Sequence, residues 1–173
     1  NIICIEQSGF MPHQECTAQV ISLLNNIELM KKEYSSGYVC FLDITKAYDS
    51  VNHSILFNRL RAMNLPPKFI HFIESLYSNS TLVAKWNIID TEEIQVHKGL
   101  HQGCPLRPAL FLLYIIDVVN FYVNDIYCQE MNIFESNMLL YADDMVVFDS
   151  SFEKLSARLT AIGSHLFALS LFS

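Results

Sequence analysis

The sequence predicts an α+β fold, in which a small antiparallel sheet is backed by helices. Two observations lead to this prediction. Apolar runs of strand length occur at residues 38–42 and on both sides of residues 141–144, whereas much of the remaining chain has apolar residues at the spacing typical of helices. The 173 residues contain no internal repeat and no low-complexity linker, and they suffice for one domain with a sizeable core.

Helical periodicity predicts four amphipathic helices and a fifth, more apolar one that Pro108 can start. Pro66-Pro67 opens the third helix in chain order. Ser150 and Glu153 predict a capping box for the last. The residues expected to face inward are Val20, Leu23, Leu24, Ile27 and Met30; Ile55, Leu56, Leu60 and Met63; Phe69, Ile70, Ile73 and Leu76; and Phe152, Leu155, Leu159 and Ile162.

The strands are predicted from short runs with high β-propensity. Residues 38–42 form one strand that ends at Asp43, and residues 139–148 form a tight hairpin with an acidic tip. Residues 81–86 and 93–97 predict two further strands, joined by the polar region 87–92. The strand before Asp43 and the acidic hairpin must be neighbours if their acids act together.

Acidic residues at the hairpin tip are the most informative feature of the chain. Asp143 and Asp144 are adjacent like charges, which a bound cation or a raised pKa would compensate. Asp43 directly follows a strand. If the fold brings the three together, an all-oxygen cluster results that suits Mg²⁺ or Mn²⁺ and not zinc. The alternatives are a solvated Asp-Asp turn and an Asp43 that only caps the next element.

A shaped loop at residues 99–108 contains two glycines and two prolines. Gly103 lets the backbone approach a ligand closely. Gln102 offers both a donor and an acceptor, which suits a base pair or a sugar. The alternative is a structural loop that precedes a buried helix.

Three motifs in order connect these features to a family. FLDITKAYDSV (residues 41–51), GLHQGCPLRPALF (residues 99–111) and YADD (residues 141–144) together resemble the reverse transcriptase domain of non-LTR, LINE-like retrotransposons. QSGFMP (residues 7–12) is similar to the fingers segment before the first acid. The resemblance implies the palm of a right-handed polymerase, a ferredoxin-like sheet backed by helices. Residues 1–173 would form a single domain fragment, with residues 1–36 and 78–98 in the fingers, the remainder in the palm and the thumb missing.

By this resemblance the activity is RNA-directed DNA polymerisation. A DNA primer 3′-hydroxyl would attack a deoxynucleoside triphosphate over an RNA template, with two Mg²⁺ ions, or Mn²⁺, as cofactors. The implied metal ligands are Asp43, Asp143, Asp144 and the backbone of Ile44, with the three acids as the catalytic residues. The implied nucleotide-binding residues are Ile44, Thr45, Tyr48, Gln102 and Gly103. Tyr48 would select deoxynucleotides, although an aromatic here is also typical of a core position.

Some residues depart from the family pattern. Met11 stands where the fingers motif usually has an arginine, and Arg107 stands where a small residue is common. No lysine follows Lys154, although the family normally supplies an Asn…Lys segment beyond this region. These departures, with the acidic balance of the chain, motivate the alternative of a catalytically inactive retrotransposon remnant that retains the palm fold.

Composition limits the partners. A net charge of −7 is the wrong sign for a free-standing nucleic-acid binder, so we expect the basic grip to come from thumb, fingers or endonuclease regions of a longer polyprotein. The 5 cysteines form no CxxC pair and the histidines are scattered, which favours an intracellular protein without a disulfide frame or a zinc site. No run is apolar and long enough to predict a membrane partner.

Overall fold

The computed structural model describes residues 7–11, 14–34, 36–87, 89–124 and 137–171. They divide into two compact units, Asn1–Ala47 with Ile115–Ser173, and Tyr48–Tyr114. This division does not follow the expected fingers and palm boundaries, which stay a prediction. The elements in chain order are α1 (Cys16–Glu33), β1 (Tyr38–Leu42), α2 (His53–Ala62), α3 (Pro67–Ser78), β2 (Thr81–Leu82), β3 (Lys85–Trp86), β4 (Ile89–Asp90), β5 (Ile94–Gln95), α4 (Arg107–Asn124), β6 (Met138–Tyr141), β7 (Asp144–Asp149) and α5 (Phe152–Ala168).

The first unit is built on a three-stranded antiparallel sheet in the order β1-β7-β6. Leu42 pairs with Met145 across β1 and β7, and Tyr141 pairs with Asp144 across the hairpin. The predicted strand and hairpin are therefore present as neighbours. The pairing brings the C-terminal end of β1 beside the tip of the hairpin, where the acids lie.

Helices cover both faces of this sheet. Met30 of α1 packs with Leu139, Val146 and Phe148 on one face, and Leu23 and Ile27 extend that cluster. Because side chains alternate along a strand, Val147 and Asp149 point to the opposite face, where α5 lies. The sheet is therefore buried on both sides in its middle.

Two details of α5 differ from the sequence prediction. The helix is capped by Ser151 and not Ser150: the Ser151 hydroxyl accepts from the Lys154 N–H at 3.4 Å and donates to Glu153 at 2.7 Å. Phe152 is 60% exposed and not inward-facing. The inward position is taken by Arg158, whose Nε donates to Asp149 at 2.8 Å with both side chains almost completely buried. Leu155 and Ile162 are buried as predicted.

The second unit pairs α2 with α3 and adds two short two-stranded sheets, β2-β5 and β3-β4. The Asn52 side chain caps α2 by accepting from the Ile55 N–H at 3.2 Å. The predicted strands are only partly confirmed: β2 pairs with β5 as expected, whereas β3 pairs with β4, which lies wholly inside the region expected to be a turn. Buried side chains of this unit include Leu56, Leu60, Ile70, Ile73 and Tyr77, the last of which was not predicted.

The segment that follows Ala47 is joined to the loop that precedes α4. The Leu100 N–H donates to the Tyr48 carbonyl at 2.9 Å, and the Gly99 N–H donates to the Val51 carbonyl at 2.8 Å. Gly99 has a φ of +92°, and a Cβ there would lie 3.2 Å from the Asp49 carbonyl oxygen, so only glycine fits without strain. Helix α4 then begins at Arg107, one residue before Pro108. None of the helices in the described ranges is long and apolar enough to cross a membrane.

Candidate functional site

Three carboxylates lie at one edge of the first unit. Asp43 directly follows β1, Asp143 is in the two-residue turn of the hairpin, and Asp144 begins β7. Asp43 and Asp144 are exposed and Asp143 is half-buried. Burial raises the pKa of Asp143 above its ordinary 3.8, and the charges of Asp144 and Asp43 raise it further. Because Leu42 pairs with Met145, Asp43 lies beside the hairpin tip.

The chemistry of these donors fits a hard cation, because all are carboxylate oxygens. Within the residues that the structure describes, however, no three acidic, histidine or cysteine side chains are arranged as a ready-made metal cluster. Mg²⁺ is commonly held by one or two carboxylates, with water and substrate phosphates completing its shell. The acids fit that partial form of site.

The two residues after Asp43 lie on a turn closed by the Ala47 N–H, which donates to the Ile44 carbonyl at 3.0 Å. Ile44 is 3% exposed, whereas Thr45 is exposed. The buried Ile44 side chain anchors this turn, so the backbone of both residues is held at the acidic edge.

The turn of the hairpin is held by a residue that our sequence reasoning did not single out. The Gln7 side chain is buried, and it donates to the Ala142 carbonyl at 3.1 Å and accepts from the Ala142 N–H at 2.9 Å. Gln7 opens the QSGFMP motif, which we read only as a fingers segment. The QSGFMP motif was the only feature of the sequence that drew attention to Gln7, and its residues do not indicate a contact with Ala142.

A second cluster surrounds Tyr48 in the other unit. The half-buried Tyr48 ring lies 4.7 Å from the Phe111 ring, and the Arg107 guanidinium lies 4.6 Å from the centre of the Tyr48 ring. Arg107 Nη2 also donates to Asp49 at 3.1 Å. Arg107 therefore contacts both residues: its guanidinium packs on the Tyr48 ring and forms an ion pair with Asp49.

The predicted pocket residues Gln102 and Gly103 are both exposed, on a turn after the segment joined to Tyr48. Gly103 has a φ of +80° and no atom within 4 Å of the position a Cβ would take. Its glycine is thus required by backbone conformation, with open space beside it. Tyr48, Gln102 and Gly103 belong to one unit, and the three acids belong to the other.

Two histidines hold the start of this loop, and they were also missed. His53 Nε2 lies 2.7 Å from the Gly99 carbonyl oxygen, so it donates as the Nε2–H tautomer. Burial lowers the pKa of His53, which favours that neutral form. His101 Nε2 lies 2.8 Å from the Ser80 hydroxyl, and its ring packs 4.4 Å from Tyr77. Single scattered histidines give no sequence signal for such a role.

The sequence profile described as "Reverse transcriptase (RNA-dependent DNA polymerase)" matches residues 1–171. The chain belongs to the reverse transcriptase family. This match confirms the resemblance inferred from the three motifs. The relatives described next, proteins of the R2 and jockey elements, confirm that the resemblance is to non-LTR retrotransposons.

This reverse transcriptase chain is 29% identical over 144 residues to the retrovirus-related Pol polyprotein of the type-2 retrotransposable element R2DM of Drosophila melanogaster, covering 82% of this chain and 13% of that protein. It is 31% identical over 131 residues to the corresponding R2 polyprotein of Nasonia vitripennis, covering 75% of this chain and 12% of that protein. It is 29% identical over 125 residues to the RNA-directed DNA polymerase of the mobile element jockey of Drosophila funebris, covering 71% of this chain and 13% of that protein. The chain thus spans about an eighth of these relatives.

Among solved structures, the reverse transcriptase chain is similar to an apo telomerase of Candida tropicalis truncated from its C-terminal domain, with a TM-score of 0.61 and 16% identity. The match covers 95% of this chain and 34% of that one. At this identity the similarity establishes the fold alone. It confirms the predicted α+β palm and partial fingers architecture.

Proposed function

We propose that this chain carries the nucleotide-transfer centre of an RNA-directed DNA polymerase, in which Asp43, Asp143 and Asp144 bind divalent cations. The observation that carries the proposal is the strand pairing at one sheet edge: Leu42 pairs with Met145 and Tyr141 pairs with Asp144, so Asp43 follows β1 beside the turn that holds Asp143. Asp43 and the Asp143-Asp144 pair come from remote parts of the sequence, and they lie in two of the motifs on which the family resemblance rests.

The chain's own contribution is to fix these carboxylates at the end of a sheet whose middle is buried on both faces. Asp43 and Asp143 would bind the ions, with Asp144 beside them and the Ile44 carbonyl as a further oxygen ligand. When bound, Mg²⁺ would neutralise charge that develops on the transferring phosphoryl group and on the leaving pyrophosphate. Catalysis by the protein then consists of positioning, since no side chain needs to act as a covalent nucleophile.

The incoming nucleotide is proposed to be a deoxynucleoside triphosphate. The backbone of Ile44 and Thr45 would face its phosphates, and the Tyr48 ring would stack on the sugar and leave little room for a 2′-hydroxyl. Gln102 and Gly103, which are both exposed, would line the pocket and face the template. These roles follow from the family motifs, and the ring contacts of Tyr48 support a fixed orientation for it.

Several broader features remain part of the proposal. An RNA template and a DNA primer are the proposed partners, with most of the basic surface supplied by other regions of a longer polyprotein. Residues 1–36 and 78–98 are proposed to belong to the fingers. The three cysteines in the described ranges, Cys16, Cys40 and Cys104, carry free thiols, in keeping with a proposed intracellular location.

A primer-extension assay tests the proposed activity. The 173-residue chain is supplied with a DNA primer on an RNA template, deoxynucleoside triphosphates and Mg²⁺, and extension is followed on a denaturing gel. We expect Asp143→Asn to abolish extension and Asp90→Asn, the same change at an exposed strand residue, to leave it unchanged. Extension by Asp143→Asn at the wild-type rate refutes the role given to that residue.

The alternative is a folded remnant that binds metal without turnover. It is favoured by Met11, which stands where the family pattern has a basic residue, and by the net charge of −7. The variant Met11→Arg separates the two functions. If this variant and the wild-type chain both fold and bind Mn²⁺ through Asp143, yet neither extends a primer, the remnant is the correct interpretation.

A further inference from the structure

The buried side chain of Gln7 forms three hydrogen bonds at the base of the acidic turn. Its Nε2 donates to the Ala142 carbonyl at 3.1 Å. Its Oε1 accepts from the Ala142 N–H at 2.9 Å and from the Gly9 N–H at 2.7 Å. Only this orientation of the amide matches donors with acceptors, since two N–H groups face one atom and a carbonyl faces the other.

Ala142 has a backbone conformation that needs such support. Its φ is +60°, in the left-handed region that residues with a Cβ rarely adopt and that carries a conformational penalty. Strained residues of this kind persist where the surroundings determine their geometry. Gln7 occupies both backbone hydrogen-bonding groups of Ala142, so the side chain specifies the conformation of the residue immediately before Asp143.

The backbone around Gln7 reinforces this contact. Gln7 forms a parallel bridge with Leu140, and the Ser8 N–H donates to the Leu140 carbonyl at 3.1 Å. A Cβ on Gly9 would lie 2.1 Å from the Ala142 nitrogen, so the two segments touch backbone to backbone. The contact leaves Gln7 2% exposed. The segment that contains Gln7 therefore contacts the backbone of the hairpin and leaves the Asp144 side chain exposed.

We infer that Gln7 is a positioning residue for the catalytic acids: it fixes the Ala142 conformation and through it the directions in which Asp143 and Asp144 present their carboxylates. This inference rests on the proposed function, because it assigns Gln7 to the same divalent-cation site. Gln7 itself does not touch the ion or the substrate. Its effect is to reduce the number of hairpin-tip conformations, of which only some place the carboxylates for joint binding with Asp43.

Mn²⁺ binding by the 173-residue chain, measured from the signal of free Mn²⁺ in electron paramagnetic resonance, tests the inference without any need for polymerisation. Gln7→Met keeps the length of the side chain and removes all three hydrogen bonds. We expect its dissociation constant for Mn²⁺ to rise about tenfold, as is typical when a residue that orients metal ligands is lost. Gln95→Met, the same change at an exposed strand residue, should leave the constant unchanged.

A second measurement uses the wild-type chain alone and does not depend on the folding of a variant. The Ala142 N–H should exchange slowly with solvent deuterium, because it donates to a buried acceptor, whereas an exposed turn amide exchanges fast. Fast exchange of this amide in the folded protein overturns the inference. So does Mn²⁺ affinity in folded Gln7→Met equal to that of the wild-type chain.

Failure of the proposed function gives a different result. If Asp143→Asn does not reduce the Mn²⁺ binding of the chain, or if the wild-type chain binds no Mn²⁺, the proposed metal site is refuted. Gln7 then has no metal ligands to position, so the inference is refuted as well, even if the Ala142 amide is protected from exchange. If Asp143-dependent binding is present and Gln7→Met does not weaken it, only the positioning role is refuted. A purely structural Gln7 would lower the thermal midpoint of Gln7→Met without changing Mn²⁺ affinity below that midpoint.

Discussion

Replacement of the buried, positively charged side chain of Arg158 should destabilise the first unit strongly. Arg158 and Asp149 have side-chain exposures of 1% and 0%, and their Nε–Oδ2 distance is 2.8 Å. Breaking a buried ion pair by removing one partner costs about 3–5 kcal/mol, because the remaining charge is buried and uncompensated. Without Arg158, Asp149 still accepts hydrogen bonds from the Ser151 N–H at 3.0 Å and from the Ser150 hydroxyl at 3.4 Å, so we place Arg158→Met near the lower bound, about 3 kcal/mol.

Urea unfolding followed by circular dichroism measures this change. At roughly 2–4 °C per kcal/mol for a chain of this size, the same loss lowers the thermal midpoint by about 10 °C. Arg61→Met is the matched control, since Arg61 pairs with Glu74 at the surface with 54% of its side chain exposed. Such surface pairs contribute about 1 kcal/mol or less.

The double variant Asp149→Asn with Arg158→Met completes the test. It removes both charges, so the penalty of a lone buried carboxylate disappears and part of the stability should return. A loss below about 1 kcal/mol in Arg158→Met, or a double variant less stable than Arg158→Met, refutes the reasoning. Because Asp149 ends β7 and Asp144 begins it, we expect Mn²⁺ binding to persist in Arg158→Met below its unfolding temperature.

Four further predictions have defined outcomes. Because the pKa of Asp143 is raised in the folded chain, the folded chain binds the carboxyl proton of Asp143 more tightly than the unfolded chain does. The contribution of Asp143 to the free energy of unfolding therefore falls as pH rises from about 3.8 through the raised pKa. Asp143→Asn should remove this pH dependence and raise the urea midpoint at neutral pH. Mn²⁺ titrations of the wild-type chain should weaken on acidification at a higher pH than an ordinary aspartate would give, whereas an unchanged affinity down to pH 4 would contradict this. Gly9→Ala should lower the thermal midpoint by several degrees, since its Cβ would overlap the Ala142 backbone, and an unaltered midpoint would show that the segments separate easily. Arg107→Ser should weaken the preference for dGTP over GTP in a competition assay with a fluorescent nucleotide, because Tyr48 loses the cation on its ring; an unchanged ratio would show that Phe111 alone orients Tyr48.

The sheet could be predicted because its strands are short, apolar and bounded by polar residues. The run at residues 38–42 and the hairpin around residues 141–144 needed no knowledge of the helices to be recognised. We predicted that the strand and the hairpin pair because their acids can act together only if the two are neighbours. The short interrupted strands β3 and β4 were harder to place, because two-residue strands carry almost no periodic signal.

The errors in α5 have a common physical cause. Helical periodicity treats arginine as a solvent-facing residue and phenylalanine as a core residue, which is right for most positions. Arg158 reverses the rule because the last residue of β7 supplies a buried carboxylate for it. Phe152 lies in the first turn of the helix, where its ring packs edge-to-face with Tyr38 at 5.8 Å and stays exposed. Neither fact can be read from the sequence of the helix itself.

The candidate site shows the same division. The positions of Asp43, Asp143 and Asp144 could be predicted because strand ends are predictable, and the structure places them at one edge, whereas their role in metal binding stays a prediction. Gln7 could not, because its hydrogen bonds to Ala142 join residues 135 positions apart and serve backbone groups, which have no sequence signature. The link between Arg107 and Tyr48 was likewise hidden, since it depends on how α4 starts beside the Tyr48 segment.

The half-burial of Asp143 bears on the alternative of a solvated turn. A turn that served only to reverse the chain would relax until both carboxylates were hydrated, because burial of one beside two like charges raises the free energy of the folded state. Here the Gln7 side chain and the Gly9 backbone hold the turn in a left-handed conformation, and Asp143 keeps a raised pKa. The fold thus maintains a repulsive arrangement that a cation would relieve. That cost to stability, measurable as the stabilisation expected of Asp143→Asn, is what separates a functional acidic edge from an ordinary polar turn.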